Sequence, residues 1–374
     1  EWEKKKLGEI AKIIGGGTPD TIIDEYWNGD IQWFTPSEIK SNYVAKSDRK
    51  ITKLGLSKSS ARLLPIGTIL LTTRATIGEV AIATEECTTN QGFQSLIVNE
   101  NINNIFISNW IKQNKKELIK RANGSTFSEI SKSEIESIPI LLPDTLEQDK
   151  IASFLSLLDE RIETQNKIIE KLESLIRGIY SVAKRESWIM LYLRDVLEER
   201  KEQNSHGYPI FSVAVREGII NQIEHLGRSF AAKDTRNYNV VQLGDIVYTK
   251  SPTGDFPYGI VKQSFIDQPV AVSPLYGVYK PKNYHLGNIL HHYFLSPINA
   301  NNYLYSLIQK GAKNTINITT QRFLDKAILL PTQEIEIKNI SLLLEVINKK
   351  IHLEKDALIK LESQKKILLQ RMFI

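Results

Sequence analysis

Six histidines, one cysteine and two proline–aspartate pairs are the residues of this sequence from which a catalytic or metal site could be built. The histidines (His206, His225, His285, His291, His292 and His352) contain no His-Glu-x-x-His spacing, which would place two imidazoles on one helix face. Adjacent His291 and His292 fall on different sides of a helix and make poor joint metal ligands. Cys87 alone cannot form an internal disulfide or a cysteine-based zinc site, and a lone thiol fits a reducing compartment. Pro19-Asp20 and Pro143-Asp144 could open a metal-dependent nuclease pair, but neither is followed by an acidic-x-Lys element, and Asp149 directly precedes Lys150. Pro143-Asp144 reads better as a helix start, with Asp144 or Thr145 near the cap. Gly15-Gly16-Gly17-Thr18-Pro19 is glycine-rich but lacks the lysine of a phosphate loop, and no G-x-G-x-x-G follows a strand. No Asn-Pro-Pro-Tyr or Asp-Pro-Pro-Tyr element, with which amino-methyltransferases hold an extruded base, is present. The chain is expected to have no active site of its own.

Binding is the remaining class of function, and the elements that would position it are legible. The chain has 374 residues, enough for roughly two to three domains. Hydrophobic residues at 41% and charged residues at 24% are sufficient for a packed core. A net charge of +5, from 48 Lys+Arg against 43 Asp+Glu, permits a polyanion partner without demanding one. The longest apolar runs, such as Ile69-Leu70-Leu71 and Ile140-Leu141-Leu142, fall far short of a membrane span, and Glu1-Trp2-Glu3-Lys4-Lys5-Lys6 leads into no signal stretch. A cytoplasmic protein without a membrane partner is expected.

The chain repeats itself. Ile140-Leu141-Leu142-Pro143 recurs as Ile328-Leu329-Leu330-Pro331, an offset of 188 (328 − 140), and Lys171-Leu172-Glu173-Ser174 recurs as Lys360-Leu361-Glu362-Ser363, an offset of 189 (360 − 171). Two blocks in one order at nearly one offset indicate a tandem duplication. After each proline comes a long helical pattern. Ile151, Leu155, Leu158, Ile162, Gln165, Ile169, Leu172, Ile176 and Ile179 alternate steps of four and three, the period of a coiled-coil seam. The second copy answers with Ile340, Leu344, Ile347, Ile351, Glu354, Leu358, Leu361, Lys365 and Leu368, where only Lys365, opposite Ile176, breaks the match. Each seam predicts a helix of about 30 residues, about 45 Å long. Pairing on each other is the direct way for the two stripes to leave water; two separate helices of one core are the plainer alternative.

Residues 1–145 and 187–331 are of another character, with scattered Gly and Pro and short β-prone runs. Ile66-Gly67-Thr68-Ile69-Leu70-Leu71-Thr72-Thr73 reads as a turn and strand, answered by Leu243-Gly244-Asp245-Ile246-Val247-Tyr248-Thr249-Lys250. Leu7-Gly8-Glu9-Ile10 has a fainter echo in Leu193-Arg194-Asp195-Val196. Beyond the strand the copies diverge: Arg74-Ala75-Thr76-Ile77-Gly78 stands opposite Ser251-Pro252-Thr253-Gly254-Asp255. One scaffold with two surface chemistries suggests two ligands of one class, with neutral drift after duplication as the alternative.

This layout resembles the specificity (S) subunit of type I restriction–modification enzymes over the whole chain. The resemblance is carried by Gly15-Gly16-Gly17-Thr18-Pro19, Tyr26-Trp27-Asn28-Gly29-Asp30-Ile31-Gln32-Trp33-Phe34-Thr35-Pro36, Arg74-Ala75-Thr76-Ile77-Gly78, Asn90-Gln91-Gly92-Phe93, and Ile138-Pro139-Ile140-Leu141-Leu142-Pro143 with its helix. The second half keeps the helix and the Leu-Leu-Pro block but lacks the Arg-Ala-Thr-Ile-Gly and Asn-Gln-Gly-Phe blocks. The resemblance implies an α+β fold: target-recognition domains at 1–145 and 187–331, joined by long helices at 146–186 and 332–374 that pack as an antiparallel coiled coil with pseudo-two-fold symmetry. It implies a non-catalytic subunit that recognises double-stranded DNA, each domain reading half of a bipartite site while the helices set the spacer. Two modification (methyltransferase) subunits would dock on the helices, carrying S-adenosylmethionine for N6-adenine methylation. Restriction (motor-nuclease) subunits would add ATP- and Mg-dependent translocation and cleavage.

On that reading, phosphate contacts position and base-edge contacts specify. Arg74, following Leu70-Leu71-Thr72-Thr73, could pair bidentately with guanine, a structural salt bridge being the alternative. Gly16 and Gly17 would let the backbone approach a phosphate, a plain turn being the alternative. Thr18, Thr76, Asn90 and Gln91 are polar candidates beside those turns, and Arg228, Lys250, Thr253, Lys313 and Asn314 hold comparable places in the second domain. The rival readings are a coiled-coil adaptor holding two ligand-binding domains without DNA, and a self-contained methyltransferase or nuclease.

Overall fold

The computed structural model describes residues 2–74, 76–122, 129–182, 187–215, 217–223, 234–310 and 316–373. Two compact units divide the chain: residues 1–166 with 356–374, and residues 167–355. Each therefore takes a part of both long helices, Thr145–Val182 and Glu334–Met372.

In the first unit a five-stranded sheet has the order Ala11–Gly15, Gln94–Val98, Ile69–Leu71, Val80–Ala83, Tyr43–Val44, antiparallel except for the last pair. Its central strands, Ile69–Leu71 and Val80–Ala83, are short, apolar and fully buried because both faces are covered there, whereas Lys12 and Tyr43 on the two outer strands are exposed. Ile69, Leu71, Val80 and Ile82 face a core with Phe106, Ile107 and Ile111 of helix Asn104–Gln113, whereas Leu70, Ala81 and Ala83 face a second core with Phe34, Leu64, Cys87 and Phe93. A three-stranded sheet, Arg49–Ile51, Trp27–Phe34 and Cys87–Thr89, flanks this second layer.

The second unit repeats the frame. Leu197–Glu199, Gly277–Pro281, Ile246–Tyr248 and Val261–Gln263 form an antiparallel sheet in that order, with Ile246 and Tyr248 on one core and Val247 on the other. The Phe323 ring stacks near both Tyr248 and Tyr279, at 5.0 and 4.8 Å. Gly67 and Gly244, at the two matching turns, both have φ +86°, a backbone conformation that glycine alone adopts without strain. The faint echo at Leu7 and Leu193 is a matched helical turn, Leu7–Ile10 and Leu193–Val196.

The repeated Ile-Leu-Leu-Pro block is a strand of a two-stranded ribbon in each unit. Pro139–Leu142 pairs with Glu3–Lys6, and Ala327–Pro331 pairs with Trp188–Tyr192. Asp144 then caps the first long helix, its Oδ1 accepting from Glu147 N at 2.9 Å. The helices run 38 and 39 residues, about 57 Å each, longer than the seams predicted because their outer turns carry no seam residue.

Within each unit the two helices meet antiparallel. In the first, Ile151, Ala152 and Leu155 share a core with Leu369, Met372 and Phe373, and Asp159 forms an ion pair with Lys365. In the second, Ile176 and Ile179 pack against the core that holds Ile337, Ile340 and Leu344, and Glu173 pairs with Lys355 at 2.8 Å. Every seam position is buried or half-buried: Ile151, Leu155, Ile169, Leu344, Ile347, Ile351 and Leu361 fully, Leu158, Ile162, Leu172, Ile340 and Leu358 in part. Lys365 departs from the apolar pattern because it has an acid to meet.

Candidate nucleic-acid interface

The turn after strand Ala11–Gly15 lies against the segment Thr89–Phe93. Gly17 N donates to Thr89 O at 2.8 Å, and Gly16 N to Phe93 O at 3.4 Å. A Cβ on Gly16 would stand 1.9 Å from the Asn90 carbonyl oxygen, and one on Gly17 2.3 Å from Ser60 Oγ. Chain-on-chain packing therefore demands both glycines. The N–H groups expected to meet a phosphate are engaged inside the protein, which favours the plain-turn alternative for Gly16 and Gly17.

The neighbouring polar candidates come together. Thr18 Oγ1 donates to Gln91 Oε1, and Asn90 Oδ1 accepts from Gly92 N at 2.8 Å. Thr73 N donates to Gly92 O at 2.8 Å, which brings the strand end carrying Arg74 beside the same segment. Gln91, Arg74 and Thr76 are exposed; Thr18 and Asn90 are half-buried. Thr76 holds its turn through its backbone, donating to Arg74 O at 2.6 Å and accepting from Thr72 Oγ1. Arg74 makes an ion pair from Nε to Glu129 Oε1 at 2.9 Å, with its side chain 46% exposed. A surface pair of this kind holds a guanidinium in place with little loss of its reach toward solvent.

In the second unit Lys250 follows strand Ile246–Tyr248 as Arg74 follows its own strand. Its φ is +56°, and the half-buried ammonium has a pKa lowered by desolvation. Thr253 closes a tight turn, exchanging backbone hydrogen bonds with Phe256 at 3.0 and 2.9 Å. Arg228, Lys313 and Asn314 lie outside the described residues.

One cation beside this surface escaped the reading of the sequence. The Arg49 guanidinium lies 3.6 Å from the Trp27 ring centroid and 5.6 Å from that of Trp33. Trp33 Nε1 in turn donates to Gly17 O at 2.9 Å, so the arginine is tethered to the glycine turn. The only available signal was cross-strand: Trp33 and Arg49 are direct partners in the sheet register. Among the described residues no group of three or more His, Cys, Asp or Glu could hold a metal ion, and no helix is long and apolar enough to cross a membrane. What the rim offers is a guanidinium, amides and hydroxyls on turns fixed by packing, a set that can donate and accept hydrogen bonds.

Comparison with known proteins points the same way. Residues 1–174 match the family model of the type I restriction modification DNA specificity domain. The chain is 40% identical over 183 residues to the type I restriction enzyme MjaIX specificity subunit of Methanocaldococcus jannaschii, covering 46% of this chain and 42% of that one. It is 31% identical over 166 residues to the EcoR124I/EcoR124II specificity subunit of Escherichia coli, covering 42% and 41%. The alignments thus span about four-tenths of the length of these curated relatives. In structure the whole chain is similar to the type I restriction-modification S subunit from M. genitalium, with a TM-score of 0.62, 14% identity, and coverage of 100% of this chain and 96% of that one. That likeness establishes a shared α+β fold.

Proposed function

We propose, from the premise that residues 1–174 belong to the type I restriction modification DNA specificity family, that the chain is the sequence-reading subunit of such an enzyme. Each unit would read one half of a bipartite site in double-stranded DNA. The carrying observation is the contrast inside the two units. The strand pair Ile69–Leu71/Val80–Ala83 and its counterpart Ile246–Tyr248/Val261–Gln263 share order and register, while the turns that join them differ in length and chemistry. Conserving a frame and varying its loop is how one fold reads two targets.

The long helices support partner docking. Leu146, Phe154 and Leu157 are 65%, 46% and 65% exposed, and Ile335, Leu343 and Val346, which follow them at an offset of 189, are 77%, 47% and 65% exposed. Steps of eight and three keep each triplet on one helix face. An apolar stripe presented twice suits two copies of one partner, here the two modification subunits. Methyl transfer from S-adenosylmethionine and ATP- and Mg-driven restriction would then reside on partner chains, while this chain contributes recognition alone.

The helices would also set the spacing between half-sites, which on one face of a duplex lie about 34 Å apart. Inserting a turn of residues after Glu163 should lengthen the non-specific spacer, read by methylome sequencing of cells carrying the reconstituted enzyme. Retained activity with an unchanged spacer would refute the ruler. Duplex binding by the complex with modification subunits should weaken steeply with salt. Absence of any such binding would leave the adaptor reading in place.

A further inference from the structure

The second unit holds a cavity of about 1290 Å³ between strand Val261–Gln263, helix Tyr284–Leu295 and the two long helices. Much of its wall is apolar, including Ile176, Ile219, Phe265 and Leu295. Several polar groups in that wall are buried without satisfaction. Among the described residues Gln263 Oε1, Asn288 Oδ1 and His292 Nδ1 have no hydrogen-bond partner, in residues that are 1%, 1% and 3% exposed. Lys262, 2% exposed, has neither an ion pair nor a side-chain hydrogen bond among the described residues. A buried ammonium without a counter-charge is costly.

The nearby carboxylates do not answer it. Glu173 is taken by Lys355 at 2.8 Å, and Glu345 accepts from Asn288 and Ser341, each at 3.4 Å. Glu217 is exposed and attracts Lys262 only from a distance. His291 and His292 add no charge at neutral pH, since burial pushes His292 down to about 4 and His291 well below its ordinary value. Lys262, lowered by burial to about 8, stays protonated at pH 7. His291 Nδ1 accepts from Gln263 N at 2.9 Å, which assigns its proton to Nε2 and adds a second donor to the wall.

The first unit shows what the duplication would ordinarily put here. Register places Ala81 where the second unit has Lys262, and the helix caps Asn103 and Asn283 place Lys112 where it has His292. The helix offset places Asp159 where it has Asn348, and Lys365 where it has Ile176. In the first unit Lys112 donates to Asn42 Oδ1 at 2.6 Å, Asp159 pairs with Lys365, and Tyr43–Val44 covers the sheet edge. In the second, His292 Nε2 lies 2.8 Å from Asn348 Nδ2, and Val261–Gln263 is an edge strand of its sheet. Two lysines and a carboxylate have been exchanged for uncharged residues while one buried lysine has been added, so the net charge of the four positions is unchanged but the remaining cation has lost the carboxylate.

We propose that this cavity binds a small anionic ligand with an apolar body, its carboxylate or phosphate meeting Lys262 and its body lying on Ile176, Ile219 and Phe265. The site depends on the second unit alone and stands or falls independently of DNA recognition. The probe is 8-anilinonaphthalene-1-sulfonate, titrated by fluorescence into the full chain with thermal melts confirming the fold of each variant. One probe per chain is expected. Lys262→Met should weaken it tenfold or more, and Asn348→Asp, which restores the first unit's carboxylate, should weaken it as well. Decanoate or decyl phosphate should displace the probe where decanol does not, and the stronger competitor identifies the headgroup. Unchanged affinity in both folded variants, or displacement by decanol as effective as by decanoate, would overturn the proposal.

Discussion

Replacing Arg74 by alanine separates recognition from structure, because the two roles differ in size. The Arg74–Glu129 pair joins side chains that are 46% and 37% exposed, so its loss costs stability about 0–1 kcal/mol. The backbone bridge between Arg74 and Glu129 does not need the guanidinium. A bidentate contact to guanine, by contrast, is worth about 1–3 kcal/mol of discrimination, about 5- to 150-fold in relative affinity. The variant should therefore melt near the parent. In complex with modification subunits it should lose preference at one base position by that factor, measured by competition binding with each position of the site substituted in turn. Glu129→Gln provides the control, removing the ion pair while keeping the reader, and its base preferences should persist. An equal loss on all sequences with a shallower salt dependence would make Arg74 a phosphate contact. A melting loss well beyond about 1 kcal/mol with specificity intact would make it structural.

Three further outcomes follow from buried groups. Arg200 grips Asp245, itself 1% exposed, through Nε at 2.6 Å and Nη2 at 3.0 Å, so Arg200→Met should cost about 3–5 kcal/mol in denaturant unfolding by stranding the carboxylate. Lys112 is pushed down to about 8 by burial and then by Lys365, against the pull of Asp159 and Glu79, so the unfolded chain binds the extra proton between about pH 8 and 10.5. Stability relative to Lys112→Met should therefore rise with pH through that window, by on the order of 1 kcal/mol per unit, and a falling difference would contradict the assignment. Burial raises the Cys87 thiol to about 12 and leaves it 0% exposed, so a thiol-reactive dye should label the native protein only as fast as the first unit opens; rapid labelling at neutral pH would exclude that packing.

The helices were the most legible part of the chain because a seam is local: its three-and-four spacing survives in the sequence whatever lies across it. The Ile-Leu-Leu-Pro repeat was legible as well, but its role was not, since the strands Glu3–Lys6 and Trp188–Tyr192 that pair with it lie over a hundred residues upstream. The candidate rim was half legible. Thr18, Arg74, Asn90 and Gln91 stood out beside turns, and the fold does gather them. The glycines' duty toward Thr89 and Ser60 depends on approaches that no local pattern encodes. Arg49 on Trp27, and Lys262 beside His291 and His292, were invisible for the same reason: each cluster is assembled from separate strands and helices.

The first unit is closed by residues made long after the rest of it. Phe373 packs its ring 5.1 Å from Phe106, and Lys365 answers Asp159, across more than two hundred positions of chain. During translation the core that holds Ile151 and Leu155 therefore lacks Leu369, Met372 and Phe373 until the whole second unit has emerged from the ribosome. Cleavage or tagging near residue 370 would be felt in the half of the protein that was synthesised first.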